Sequence, residues 1–142
     1  MKLVDINLLL YAIDSSSSFH SEARKWLEDA LSSPETVYFP WVVLLGFVRI
    51  GTRNRVFAQP LSVEEAFDYV DEWLARPNVS IMHPTERHTQ ILRDLLTSTG
   101  TAGNLVQDAH IAALAIEYGA TVFSADHDFA RFKGLRFVNP LK

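Results

Sequence analysis

Short apolar runs alternating with helix-period segments constrain this chain more than any other feature. Lys2 to Asp5, Val37 to Phe39, Val79 to Met82, Thr121 to Ser124 and Arg136 to Val138 each read as a brief strand. Helical patterns fill the first three intervals, and Phe129 to Phe132 supplies a helical turn in the last. Strands this short, apolar and separated by helices pair in parallel, in a sheet covered on both faces. The expected class is therefore α/β, with a mostly parallel sheet flanked by helices. A chain of 142 residues has room for one domain and not for two comfortable ones, so 1–142 is expected to be a single unit.

The helices carry their own signals. Asn7 to Ile13 is apolar, and His20 to Leu31 places Ala23, Trp26, Leu27 and Ala30 on one face. Pro40 opens a helix, Trp41 to Ile50, that is apolar on nearly every side, which predicts full burial. Ser62 and Glu65 have capping-box spacing ahead of Ala66, Phe67, Val70, Trp73 and Leu74. Thr85 is placed to cap a helix carrying Ile91, Leu92, Leu95 and Leu96. Asn104 is placed to cap another that ends at Tyr118, with Gly119 as its stop. Trp26, Trp41 and Trp73 all fall on apolar faces and are expected in the core.

Composition enters by exclusion. There is no cysteine, so disulfides and thiolate zinc sites are ruled out. A formal net charge of −4 rules out a bulk positive field drawing the chain onto nucleic acid. Any polyanion must be met by a local patch or a bound cation. The longest apolar runs, Ile6 to Ile13 and Pro40 to Ile50, fall short of the roughly 20 residues that span a bilayer. Asp5 interrupts the run an export signal would need. A cytoplasmic protein with no membrane role is expected.

Parallel sheets bind ligands beyond the carboxyl ends of their strands. Asp5 follows Lys2-Leu3-Val4 there, and Asp126 follows Val122-Phe123-Ser124-Ala125. On the helix from Asn104 to Tyr118 the polar arc holds Gln107, His110 and Glu117, whereas Asp108 lies on the apolar side with Leu105, Ala112 and Ala115. Position alone leaves two readings of Asp108: a buried carboxylate that needs a partner, or a charge complementing the helix dipole. Asp128 either joins the acids or caps the following turn. Asp5, taken alone, reads as a cap for the first helix.

Convergence of Asp5, Asp108 and Asp126 changes the weight of each. Two carboxylates about 4 Å apart repel by roughly 4 kcal/mol at an effective dielectric near 20. A fold keeps such a cluster only with a cation between the charges or with raised pKa values. Ligands that are all oxygen favour magnesium or manganese over zinc. Such an ion suits phosphodiester hydrolysis, because it polarises the phosphoryl oxygen, activates water and screens the acids from an anionic substrate.

Three segments carry a family resemblance. Val4-Asp5-Ile6-Asn7-Leu8-Leu9, Asp108 to Ala115, and Ser124-Ala125-Asp126-His127-Asp128-Phe129 are similar to the signatures of PIN-domain ribonucleases, and in particular of VapC toxins. The resemblance extends over essentially the whole chain, including the helix from Pro40 and the terminal Asn139-Pro140-Leu141. It implies a three-layer PIN-like fold and a magnesium-dependent endoribonuclease, with manganese as a substitute. It also implies the toxin half of a type II toxin–antitoxin pair, acting on RNA, homodimeric and inhibited by a VapB-type antitoxin. Asp5, Asp108 and Asp126 match the family's metal-binding, catalytic acids, and Asp128 an accessory acid. Ser124 and Asn7 match positions that support those acids by hydrogen bonds. One departure stands out. Many PIN nucleases carry a glutamate in the buried third helix, where this chain has Gly46. A branch of the VapC toxins shares the small residue, and close helix packing accounts for it.

Arg49 shares a helical face with Gly46, placed either to contact substrate phosphate or to neutralise an acid. Arg53 and Arg55 lie in a polar loop and, with Lys133 and Arg136, are candidates for a phosphate track. His110 and His127 read as surface residues, and His20, His83 and His88 form no helical ligand pair. Two other functions compete. An aspartyl phosphotransferase or phosphatase would use Asp5 as nucleophile, but Asn7 stands where its second acid is needed. A catalytically impaired PIN-fold binding module would have no reason to retain three costly acids.

Overall fold

The computed structural model describes residues 1–53 and 59–141. Arg55 lies outside the described residues. The order of elements is β1 (Lys2–Val4), α1 (Ile6–Ile13), α2 (His20–Leu31), β2 (Val37–Tyr38), α3 (Trp41–Gly51), α4 (Val63–Leu74), β3 (Val79–Ser80), α5 (His88–Thr99), α6 (Val106–Tyr118), β4 (Thr121–Phe123) and β5 (Arg136–Val138). Short 3-10 turns precede α6 (Gly103–Leu105) and follow β4 (His127–Arg131). The five strands form one parallel sheet in the order β3-β2-β1-β4-β5.

That order positions the site. The chain runs outward from β1 to β2 and β3, then returns to β4 on the other side of β1. The crevice past the carboxyl ends of β1 and β4 is thus the point where the winding reverses. Register makes the alignment close: Val4 pairs with Phe123, and the Asp5 N–H donates to the Phe123 carbonyl at 3.0 Å. Asp5 and Ser124 leave the sheet side by side.

The sheet is short but well anchored. Leu3, Val4, Val37 and Val122 have no exposed surface, and Leu8, Leu9, Phe39, Phe47 and Ile111 pack with them. Each such side chain stabilises the fold by about 1.5–3 kcal/mol relative to leaving it exposed. Around the core, α1 packs on α2 and α3, and α5 packs on α6. Gly119 ends α6 at φ 68°, a left-handed conformation that glycine adopts without a Cβ clash.

Several details differ from the sequence expectations, each for a physical reason. The capping box of Ser62 and Glu65 is present, but Thr85 is not the N-cap of α5: its hydroxyl accepts from the Arg87 N–H at 3.2 Å, just ahead of the helix. Its hydroxyl and N–H both donate to Glu117, and α5 starts at His88 after an uncapped Arg87. Asn104 falls inside the 3-10 turn, so α6 starts at Val106 without a side-chain cap. Helix α3 is not buried all round: Trp41 and Leu45 are 42% and 56% exposed, while Val43, Leu44, Gly46 and Phe47 face inward. Trp73 is in the core as expected, and Trp26 is half-buried against Phe123.

Candidate metal centre

Asp5 is the N-cap of α1, which is why its carboxylate is fixed at the end of β1. Oδ1 accepts from the Ile6 N–H at 2.8 Å. Oδ2 accepts from the Ser124 hydroxyl at 2.7 Å and from Asn7 Nδ2 at 3.3 Å. Ser124 is fully buried, and its oxygen also accepts from Asn7 Nδ2 at 3.1 Å and from the Asp126 N–H at 3.0 Å. A hydroxyl has one proton and two lone pairs, so Ser124 is saturated. Asn7 Oδ1 accepts from the Ala125 N–H at 3.1 Å. These bonds lock the loop after β4 onto the start of α1.

That loop presents Asp126 and Asp128. Asp126 caps the 3-10 turn by accepting from the Asp128 N–H at 2.9 Å. The capping role considered for Asp128 therefore belongs to Asp126, which leaves the Asp128 carboxylate to face outward. Asp108, in the first turn of α6, meets both. One carboxylate oxygen from each of Asp108, Asp126 and Asp128 lies within 4.8 Å of the others. Asp5 lies outside this close group but near enough for its charge to act on Asp108; three donors reach its two oxygens, and Oδ1 accepts only one of them.

The electrostatics match the geometry. Burial, followed by the charges of Asp5, Asp126 and Asp128, pushes Asp108 up to about 7. Burial also raises Asp5, against the hydrogen bonds from Ser124 and Ile6, and the Asp126 charge adds to it. Among the described residues no lysine or arginine pairs with any of the four acids. The charge of Asp108 is uncompensated by the chain. Three exposed or half-buried carboxylates with no protein cation form a hard, all-oxygen donor set that fits magnesium or manganese.

The other candidates are placed less centrally. Arg49, Arg53 and Lys133 are exposed. Arg136 begins β5, at the amino edge of the sheet, and donates to the Gly119 carbonyl. Parallel register puts it at the opposite end from the acids, so it is no part of a phosphate track beside them. Gly46 packs on Ile6, the residue after Asp5. A Cβ at Gly46 would collide with Ile6 Cδ1 and sit 3.0 Å from Cγ1.

A second polar cluster joins α5 to α6. Glu117 Oε1 accepts from the Thr85 N–H at 2.8 Å and the Thr85 hydroxyl at 2.6 Å. Its Oε2 meets His88 Nδ1 at 2.5 Å, and His88 Nε2 meets His110 Nδ1 at 2.8 Å. The Glu117 side chain has no exposed surface, which corrects the solvent-facing arc drawn for it. Burial acts to raise its pKa, but the bonds from Thr85 and His88 outweigh that and hold it low. His110 is half-buried rather than a surface residue, and burial followed by His88 pushes it down. The signal was present in the shared arc of His110 and Glu117, two turns apart on one helix; His88 comes from a different helix.

With the geometry in place, comparison with known proteins is informative. The PIN domain family model matches residues 2–135. The chain is 48% identical over 140 residues to Ribonuclease VapC37 of Mycobacterium tuberculosis, covering 99% of this chain and 97% of that protein. It is 42% identical over 142 residues to Ribonuclease VapC33 of the same species, covering 100% and 99%. In fold it is similar to VapBC2 from Rickettsia felis bound to a promoter DNA fragment, with TM-score 0.71, 22% identity and 97% of each chain covered. The sarcin-ricin loop cleaving toxin VapC20 of Mycobacterium tuberculosis gives TM-score 0.69 at 18% identity, covering 96% of this chain and 99% of that one. Match over nearly the full length, with the acids at the switch point of the sheet, places this chain in the PIN-domain family, among the VapC ribonucleases.

Proposed function

We propose that this chain, as a single cytoplasmic domain, is the toxin of a type II toxin–antitoxin pair and hydrolyses phosphodiester bonds within RNA using magnesium, or manganese in its place. The observation that carries the reading is the approach of the Asp108, Asp126 and Asp128 oxygens within 4.8 Å of one another with no protein cation between them. The ribonuclease names of relatives at 48% and 42% identity support the same chemistry.

Asp5, Asp108 and Asp126 would hold the ion, with Asp128, whose oxygen lies within 4.8 Å of those of Asp108 and Asp126, as a further ligand. When bound, the ion supplies Lewis-acid polarisation of the scissile phosphate and lowers the cost of deprotonating water. The chain's own residues do the rest. Ser124 and Asn7 hold Asp5 and the loop of Asp126 in one geometry, so the acids need no rearrangement when substrate arrives. Asp108, pushed up to about 7 by burial and by the neighbouring acids, is the group whose ionised form a bound cation would favour most. Exposed Arg49 is assigned to the phosphate backbone beside the site.

The partner assignments follow from the same field. A VapB-type antitoxin would present a basic segment to the acidic cleft and block it, and two copies of the chain would form the active dimer. No helix among the described residues is long and apolar enough to cross a membrane.

The test is cleavage of total RNA by the purified chain with magnesium, with EDTA, and after magnesium is restored. Cutting that stops in EDTA and returns with magnesium is expected. Undiminished cutting in EDTA would reject the metal assignment, and an intact RNA pool in all three would reject the nuclease.

A further inference from the structure

Asp128 shares its face of the 3-10 turn with Arg131. In the turn His127–Arg131, side chains three residues apart stand one above the other. Phe129 and Phe132, 0% and 4% exposed, form the row that faces the core. Asp128 and Arg131 each come one residue earlier and form the next row, and both are exposed. At the head of that row the Asp128 carboxylate reaches Asp108 and Asp126. Arg131 follows about 6 Å further along it, at about 2 Å of rise per residue. Its guanidinium makes no hydrogen bond or ion pair among the described residues, with Asp128 or with any other acid.

We propose that Arg131 is a substrate-binding residue, which holds the phosphate next to the one lying over the acidic centre on a single strand of RNA. The inference rests on the ribonuclease reading above. Three observations carry it. The first is position: the row that delivers Asp128 to the acids also delivers a cation beside them, close enough to meet the neighbouring phosphate and not bound to a carboxylate.

The second is anchorage. Asp126 caps the turn by accepting from the Asp128 N–H at 2.9 Å, and the Phe132 N–H closes it onto the Phe129 carbonyl at 3.2 Å. The Phe129 ring packs on those of Phe132 and Phe137, with centroids 6.1 and 6.0 Å away. The backbone that carries Arg131 is therefore the same fixed turn that presents Asp126 and Asp128. Cation and acids keep one spacing, as positioning a strand requires.

The third is charge. The chain carries a formal net charge of −4 and gathers four acids at one end of its sheet. A polyanion reaches such a place only where a local cation offsets the field. A guanidinium suits the task, because its planar fork matches two phosphate oxygens at once. Lys133, exposed and without an ion pair among the described residues, follows two residues on and extends the positive strip away from the acids.

The experiment compares the wild type with Arg131→Gln and Arg131→Lys, each shown to be folded by circular dichroism. Binding of a fluorescein-labelled, random-sequence single-stranded RNA is followed by anisotropy in calcium across a salt series. Cleavage of the same RNA in magnesium gives kcat and KM. Each phosphate contact to a single strand contributes about 0.7 to the slope of log K against log salt, so Arg131→Gln is expected to reduce the slope by about 0.7. Its KM is expected to rise roughly tenfold, with kcat and calorimetric magnesium affinity unchanged. Arg131→Lys keeps the charge without the fork, and is expected to keep the slope and recover part of the KM. An Arg131→Gln protein with the wild-type slope and KM would overturn the assignment and leave the nuclease reading standing. Loss of magnesium affinity together with activity would make Arg131 a support of the metal centre and overturn the phosphate contact. A wild type that leaves the RNA intact in magnesium would overturn the nuclease reading and the assignment with it.

Discussion

Asp108 and Glu117 sit nine residues apart on α6, one half-buried and the other buried, and their carboxyl groups are driven in opposite directions. Asp108 meets only other acids and is pushed up to about 7. Glu117 is saturated by Thr85 and His88 and is held below its usual range. Burial opposes ionisation in both, so burial does not decide the outcome. The neighbours do. A carboxylate satisfied within the chain is part of the scaffold, whereas one left beside like charges is completed by something the chain does not supply.

The largest effect that would break this contrast is on activity. Asp108→Asn and Asp126→Asn are each expected to slow RNA cleavage at least about a hundredfold, or roughly 2.7 kcal/mol in the barrier. Stability without metal should hold or rise, because each change removes repulsion. Asp5→Asn should match them in activity but lose stability as well, since its amide cannot accept from Ile6, Ser124 and Asn7 together. Single-turnover cleavage and urea denaturation of the three variants separate the cases. A fully active Asp108→Asn would return that residue to a helix-dipole role.

Glu117→Gln is the mirror experiment. The amide keeps the shape but turns a donor toward groups that are themselves donors, and one buried donor goes unpaired. The expected loss is about 2 kcal/mol of unfolding free energy, with magnesium affinity unchanged. Stability equal to the wild type would show that Glu117 is not the anchor of the α5–α6 seam.

These two sites were unequally legible in the sequence, for reasons of distance along the chain. Asp5 and Asp126 announce themselves because each follows an apolar strand, and parallel register then brings the strand ends together. Asp108 was visible as an acid on the wrong side of an amphipathic helix. What the pattern could not show is that Asp5 also caps α1 and accepts from Ser124, and that Asp128 joins Asp108 and Asp126 in the close group. The Glu117 network joins residues 29 and 32 positions apart on separate elements, beyond the reach of any periodicity. Thr85 stands three residues before the start of α5, so its hydroxyl accepts from the Arg87 N–H rather than from the first turn of the helix. In α3, uniform apolar composition concealed which face was outside, and Trp41 and Leu45 proved to be on it.

The contrast also predicts a pH dependence of the metal-free protein. Asp108 titrates near 7 when folded and near 3.8 in the free side chain. Between those values the folded state binds more protons than the unfolded one, so stability falls as pH rises. Stability is expected to be greatest below about pH 4 and to be lost through about pH 7, with Asp5 acting in the same direction. Magnesium should flatten the decline, and Asp108→Asn should reduce it. Urea midpoints measured from pH 4.5 to 8 with and without magnesium test this, and a metal-free protein that gains stability across the range would contradict the assignment.

The smallest effect concerns the wall of the acidic centre that is steric rather than electrostatic. Gly46 of α3 lies against Ile6, and Ile6 follows the capping Asp5, so pressure at Gly46 is transmitted to the metal site through one side chain. Replacing glycine by alanine within a helix would ordinarily stabilise it by about 0.5–1 kcal/mol. Here the new Cβ collides with Ile6 Cδ1, and overpacking of a filled core costs about 1–3 kcal/mol. Gly46→Ala is therefore expected to destabilise by about 1 kcal/mol net. Ile6→Val removes the colliding methyl, so in the double variant the two changes should compensate and the helix-forming gain of alanine should reappear. Gly46→Glu is expected to carry the same steric cost, displacing Ile6 before its carboxylate can reach the acids. Magnesium titration by calorimetry shows whether that displacement loosens or tightens the ion. A Gly46→Ala protein as stable as the wild type would mean that Ile6 yields freely, and then the small residue at this position is not required by packing.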